Sequence, residues 1–368
     1  MDITPYLQLM AEKKASDLYF STNSPPCLKV EGVTQHLGQK PMPPGIIQNL
    51  AYAIMSKAQI TEFETNLEMD LAISAKDVGR FRVNIFRQRG EVAMVIRYIS
   101  ATIESVQNLN LPTILNELVL EPRGLILVVG TTGSGKSTTL AAMINHRNSL
   151  KTGHILSIED PIEYIHRHQQ SIVNQREVGL DTPSYASALR RAMREAPDVI
   201  MIGEIRDEET MRQAIAYADT GHLCLSTLHA TNAYQTLERI TNFFPEKSHR
   251  QLYMDLSMNL RAIVSQRLTI GIDKKRIPAV EILLNSPHIS HLIRKGDISD
   301  IPTAMEQAGV VGMQTFDQAL YELYTSGKID EEEALAHAES RNNLSLRIRL
   351  ANNGGVEFEP GATLRLQK

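Results

Sequence analysis

The residues Gly130, Thr131, Thr132, Gly133, Ser134, Gly135, Lys136 and Ser137 constrain this chain more than any other stretch. They read G-x-x-x-x-G-K-S in a setting that suits such a motif. The apolar run 125–129 before them has the length and composition of a buried strand, and 137–146 after them has helical composition and no breaker. A strand, a glycine-rich turn and a helix start together make a cradle of backbone N–H groups at the positive end of a helix. The loop through Thr138 is therefore a candidate site for the phosphates of ATP. Lys136 supplies a charge at the β/γ-phosphates and Ser137 a hydroxyl for Mg²⁺.

A chain of 368 residues exceeds the usual span of one core, so two domains are expected. A net charge of −4 with 22% charged residues describes an ordinary soluble protein, with no basic excess that would ask for nucleic acid. Cys27 and Cys224 are too few and too far apart for a disulfide scaffold or a thiolate metal site, which points to a reducing compartment. No stretch reaches the roughly 18–20 apolar residues of a spanning helix. A cytoplasmic protein is expected, with any membrane association made through a docking partner.

Residues 1–105 read as a small α+β domain. A helix is expected over 6–14, strands at Asp17–Phe20 and Cys27–Val30, a helix over 46–55, and strands over 68–74, Gly79–Gln88 and Glu91–Ile99. Alternation in the second of these last three puts Phe81, Val83 and Ile85 on one face and Arg80, Arg82 and Asn84 on the other. Arg82 and Arg97 are thus candidates for a solvent or partner face. Residues 106–112 read as a linker, with Pro112 in the first turn of a helix reaching 119.

From 113 to about 270 strands and helices alternate, the mark of a largely parallel sheet covered by helices. After 277 the strand pattern fades, and helices are expected over 316–326 and 330–338, the latter capped by Asp330; the domain closes near 340. In the tail 341–368, Leu344, Leu346, Ile348 and Leu350 alternate with Ser345, Arg347 and Arg349. That segment reads as a flexible arm or as a late strand that pairs with a sheet edge.

Three further constellations carry chemistry. The strand at 155–158 ends in the carboxylates Glu159, Asp160 and Glu163, where ligands of an α/β sheet collect. The apolar run 199–202 ends close to Glu204, which can reach Mg²⁺ directly or through its water. The run 223–228 is flanked by His222 and His229. A metal site at the two imidazoles lacks accompanying ligands. Phosphate sensing, positioning of the substrate water, and purely structural histidines all stay open.

The loop 130–137, the box Ile158-Glu-Asp-Pro-Ile-Glu163, the stretch 197–207, the box 220–229, Ala15-Ser-Asp-Leu18 and the stretch 260–268 together resemble the type IV pilus retraction ATPases, and their accessory branch in particular. This family is one branch of the secretion and pilus-assembly ATPases. The resemblance covers residues 1 to about 340. It implies an α/β P-loop NTPase with a RecA-like core, a PAS-like N-terminal domain and a homo-hexameric ring. Glu163 matches the glutamate that activates water, Glu204 the acid on the metal side, His222 and His229 residues near the γ-phosphate, and Arg82 and Arg97 arginines that contact nucleotide phosphates. The implied cofactors are ATP and Mg²⁺, and the implied partners are the principal retraction ATPase and an inner-membrane platform protein.

In the stretch 288–296, Ser290 and Lys295 stand where the principal enzyme carries an arginine and an acid, and that element is tied to retraction. The departure puts independent pulling in doubt. Two alternatives accompany the reading. An extension or secretion ATPase of the superfamily commonly carries a four-cysteine zinc element, which two cysteines cannot build. A nucleic-acid translocase would call for a basic lining, which the overall charge does not favour.

Overall fold

The computed structural model describes every residue except Met1, Glu31, Asp77, Ser100, Ala101 and residues 353–368. The chain divides into two compact units, Met1–Thr102 with Glu163–Ile165, and Ile103–Ile162 with His166–Lys368.

In the first unit six strands form an antiparallel sheet: β1 Asp17–Phe20, β2 Cys27–Val30, β3 Val33–His36, β4 Glu68–Ala75, β5 Gly79–Gln88 and β6 Glu91–Ile99, ordered β3-β2-β1-β6-β5-β4. Alternation sends Phe81, Val83 and Ile85 of β5 inward, where they meet Leu7, Met10, Leu50 and Phe63 of the helices Thr4–Glu12, Ile46–Ile54 and Lys57–Asn66. Two elements escape the sequence pattern. All four residues of β3 are exposed, so it shows no apolar period. The helix Lys57–Asn66 buries only Phe63, and its start is set by the capping box of Ser56 and Gln59.

The second unit holds a seven-stranded sheet: β7 Gly124–Val129, β8 Gly153–Glu159, β9 Ser171–Glu177, β10 Val199–Ile202, β11 Leu223–Leu228, β12 Leu260–Ile270 and β13 Arg276–Leu284, ordered β13-β12-β7-β11-β10-β8-β9. All neighbours are parallel except β12 and β13. Both faces are covered, which is why the strands read as unbroken apolar runs. Leu125, Leu127 and Val129 enter one core layer while Ile126 and Val128 enter the other.

Several expectations need correction here. The segment expected to link the domains is packed, with Val106 and Leu111 buried in the second unit. Pro112 lies before the helix, which runs Ile114–Leu118 behind Thr113. The strand pattern does not fade at 277, because β13 continues to Leu284. Pro278 and Glu281 disguise it, and the proline is tolerated because β13 is the edge strand. β9 was also hidden, since its two apolar residues, Ile172 and Val173, are adjacent and the other five are polar. The segment after 340 is neither an arm nor a strand as far as it is described. Arg341–Asn352 is a helix, and Leu344 and Ile348, one turn apart, are buried with Phe316, Leu320 and Ile329. The residues beyond 352 lie outside the described residues.

Glu281 on β13 is buried, and its Oε1 accepts the Ala233 N–H at 2.7 Å and the Ser265 hydroxyl at 3.0 Å. Burial raises its pKa to about 7, against those two hydrogen bonds. Between the ordinary value of 4.5 and about 7 the folded chain keeps a proton that the unfolded chain has lost. Its contribution is therefore complete below 4.5 and is lost as pH rises through 7. Glu281→Gln keeps an acceptor and cannot ionise. The melting temperature of the variant minus that of the wild type should rise between pH 5 and pH 8; a difference that falls over this range would refute the assignment.

Candidate functional site

Sheet order decides what can meet what. β7, β11 and β10 are parallel neighbours, with Val129 opposite Leu228 and Ile202 opposite Ser226. Their carboxyl ends deliver Gly130, His229 and Glu204 to one edge of the sheet, the usual place for a ligand in an α/β unit.

Gly130 and Gly135 shape the loop. A Cβ on Gly130 would collide with the Ser134 hydroxyl and lie 2.5 Å from the Gln266 carbonyl; one on Gly135, at φ +93°, would lie 2.7 Å from Gln266 Nε2. Only glycine fits at either place. Thr131, Thr132 and Gly133 are exposed at the crest, and Ser137 is exposed in the first turn of the helix Lys136–Leu150. The Lys136 ammonium is largely buried and donates to the carbonyls of Gly130 and Thr131, both at 2.9 Å. Burial lowers its pKa, and the charge of Glu204 opposes that shift. The buried Ser134 hydroxyl has no hydrogen-bond partner among the described residues. A sharply turned loop, a poised ammonium and an orphaned hydroxyl fit a polyphosphate, so the residues present suit ATP.

Glu204 lies two residues beyond the end of β10 rather than ending it. Its turn is pinned to β11: the Thr227 hydroxyl donates to Gly203 O at 2.7 Å, and Ile205 N–H donates to Thr227 O at 2.9 Å. Glu204 Oε2 accepts from Arg206 Nε and Nη2 at 2.9 and 2.8 Å, while Oε1 lies 3.3 Å from His229 Nε2. Burial first, then the Lys136 charge, lower the His229 pKa from its ordinary value, so the neutral ring predominates at pH 7 and its contact with Glu204 is a close polar approach rather than an ion pair. Glu204 and Ser137 are the residues that would face Mg²⁺. Among the described residues there is no group of three or more His, Cys, Asp or Glu side chains that could hold a metal ion.

His222 is placed elsewhere. It precedes Leu223, which pairs with Gly124 at the start of β7, and its Nδ1 lies 3.1 Å from the Thr220 hydroxyl and 3.2 Å from Tyr217 O. The six residues of β11 separate it from the edge that bears His229 by about 20 Å at 3.3 Å per residue. Within one chain His222 does not join the loop. The two imidazoles make no shared metal site.

In the first unit Arg82 and Arg97 are directly opposed across β5 and β6 and so share a face, which the register of the two strands decides. Arg97 Nε donates to Asp17 Oδ1 at 2.9 Å, and Arg82 lies 3.7 Å from Asp70. The Asp17 hydrogen bond chiefly raises the Arg97 pKa, with the charge of Glu163 adding to it. Glu163 is exposed, and Glu163–Ile165 group with this unit. Glu159, by contrast, is buried at the end of β8, where the Ser157 hydroxyl donates to Oε1 at 2.7 Å and Gln175 Nε2 at 3.2 Å.

Sequence reading missed Gln266. Only 3% exposed on β12, it takes the Thr139 hydroxyl on Oε1 at 2.6 Å and backs the loop at both glycines. The signal was available: Ser265-Gln266 is a polar pair inside the apolar run of β12, and it needs a partner.

Loop, acid and neighbouring histidine at the ends of adjacent parallel strands define a P-loop nucleoside triphosphatase of α/β fold. The Type II/IV secretion system protein family model matches residues 1–334. The chain is 51% identical to the type IV pilus ATPase PilU of Pseudomonas aeruginosa, over 97% of this chain and 94% of that one. It is 40% identical to the type IV pilus retraction ATPase PilT of the same organism, over 93% of this chain and all of that one. The crystal structure of the pilus retraction motor PilT with bound ADP superposes with a TM-score of 0.88 at 41% identity, covering 94% of this chain and 99% of that one. The chain belongs to the type II/IV secretion family and, within it, to the PilT/PilU type IV pilus retraction ATPases. Membership implies ATP-hydrolysing activity and the use of ATP with Mg²⁺. No helix among the described residues is long and apolar enough to cross a membrane.

Proposed function

We propose that the chain is a cytoplasmic motor that hydrolyses ATP to assist depolymerisation and retraction of a type IV pilus. It works as a homo-hexamer beside the principal retraction ATPase, on an inner-membrane platform protein. The observation that carries this reading is the meeting of Lys136, Glu204 and His229 at one sheet edge. Relatives named for pilus retraction support the direction of force. The helical second unit built on a parallel sheet supports the RecA-like description, and the antiparallel sheet of the first unit supports the PAS-like one.

Phosphoryl transfer needs positioning and charge more than covalent chemistry. The loop N–H groups and Lys136 bind and orient the phosphates; the Ser134 hydroxyl donates to them; Glu204, held by Arg206 and His229, faces the metal side with Ser137. Mg²⁺, when bound, supplies charge that offsets the phosphate oxygens. Glu163 orients the attacking water, and Arg82 and Arg97 supply positive charge toward the phosphates, both proposals resting on the family resemblance. His222 is left out of the chain's own catalytic set by its place at the far end of β11.

Glu163→Gln should spare ATP binding and lower turnover by roughly 10²-fold or more. Glu204→Gln should lower turnover and also raise the Mg²⁺ concentration needed for half-maximal rate, because it alters the metal side. Binding and phosphate release across a Mg²⁺ titration separate the two, and identical behaviour would remove the division of roles. For the motor itself, pilus retraction is measured in cells with this protein alone, the principal ATPase alone, or both. Retraction equal in the second and third strains would refute an assisting role.

A further inference from the structure

His229 is joined to the helix Ala233–Phe243 by only Ala230, Thr231 and Asn232, and that short bridge is held from outside the nucleotide edge. Arg267, next to Gln266 on β12, is the hub. Its Nη2 donates to Thr231 O at 3.4 Å and forms an ion pair with Glu339 Oε1, and its Nη1 donates to His337 O at 2.8 Å. The guanidinium lies over the Phe316 ring at 4.0 Å. Glu339 Oε2 accepts from Asn232 Nδ2 at 3.2 Å, while the Asn232 side-chain oxygen caps the helix by accepting from Gln235 N–H at 2.9 Å. Glu339 is itself fixed: its N–H donates to Asp317 Oδ1 at 2.7 Å and the Ser340 N–H to Asp317 Oδ2 at 3.0 Å.

Phe316 and Asp317 begin the helix Phe316–Thr325, His337 ends the helix Glu331–His337, and Ser340 leads into the helix Arg341–Asn352. All three C-terminal helices thus meet the bridge at one point. We propose that Arg267 and Glu339 form a clasp that positions His229 against Glu204, so that ATP turnover answers to the placement of the C-terminal helices. Both are positioning residues; neither touches the phosphate loop. The bridge carries the effect because its Thr231 carbonyl and Asn232 amide are held two and three residues from His229. Whatever shifts the C-terminal helices then shifts the imidazole that holds the metal-side acid. The mechanism rests on the proposed hydrolytic reading, while the clasp itself can be read without it.

The test uses the full chain with Glu339→Ala, and with Asn232→Ser, which retains a helix-capping oxygen but cannot span to Glu339. Two quantities are read. The first is the rate at which diethylpyrocarbonate modifies His229, followed by peptide mass spectrometry without nucleotide. Release of the clasp should raise it about fivefold in both variants, and an unchanged rate overturns the clasp. The second is steady-state phosphate release. Both variants should lose about tenfold in kcat with KM for ATP within about twofold, and in a His229→Ala background Glu339→Ala should cost less than a further twofold. Losses that multiply in the double variant, or an unaltered kcat in both single ones, overturn the coupling. A wild-type chain that releases no phosphate would instead refute the hydrolytic reading, and the His229 modification rate would still decide the clasp.

Discussion

Lys136→Ala is expected to abolish ATP hydrolysis, lowering phosphate release by roughly 10²- to 10³-fold, the scale for loss of one preorganised group facing developing charge. The ammonium is the cation that the loop carries, and it is already drawn inward by the carbonyls of Gly130 and Thr131. On binding, triphosphate replaces weak neutral acceptors with charged ones, a stronger class of hydrogen bond. Nucleotide affinity should therefore fall as well. Stability should change far less than turnover, because removing a largely buried ammonium also removes the desolvation that depresses its pKa, and of the two carbonyls left behind only that of Gly130 belongs to a buried residue, Thr131 being exposed. Phosphate release, ADP binding and melting temperature are measured together. Turnover within about threefold of wild type would refute this loop as the site, and a large drop in melting temperature would assign Lys136 a structural role instead.

The second large effect concerns the segment after residue 340. Leu344 and Ile348 are 1% and 0% exposed, packed with Phe316, Leu320 and Ile329, whereas Leu346 and Leu350 are 49% and 38% exposed. Arg347 lies over the Tyr321 ring at 4.0 Å and fastens the same helix from its flank. Leu344→Ala should cost about 2–5 kcal/mol, the range for emptying a buried leucine site. Leu344→Asp should cost more, since it also buries a carboxylate without a partner. Leu346→Asp should stay within about 0.5 kcal/mol of wild type. Denaturant melts of the three variants give the comparison. A strand with all four aliphatic residues on one face would make positions 344 and 346 equally sensitive, and that result would refute the helix. Truncation before Arg341 should likewise destabilise the second unit rather than leave it untouched.

Much of the site could be read from sequence because its requirements are local. The glycines of 130–137 are dictated by a turn a few residues long, and Lys136 and Ser137 follow at fixed offsets along a helix start. Strands β5, β6, β7 and β11 carry a period or an unbroken apolar run within their own length, so the strands themselves and the outward face of Arg82 could be read before any tertiary contact was known, while which strand ends meet waited for the sheet order. What depended on partners distant in the chain could not be read that way. Leu344, Leu346, Ile348 and Leu350 satisfy a period of two, while the pair Leu344 and Ile348 equally satisfies one helical turn. The choice fell to the apolar surface of Phe316, Leu320 and Ile329, which accepts two residues one turn apart. Gln266 and Arg267 acquire roles only in the folded sheet: β12 pairs with β7, which brings Gln266 beneath a phosphate loop more than a hundred positions away, and the next residue, Arg267, meets the His229 bridge 36 positions before it. His222 shows the same dependence in reverse. Near neighbours in sequence, His222 and His229 are parted by the strand between them, because an extended chain separates its two ends as surely as a turn joins them.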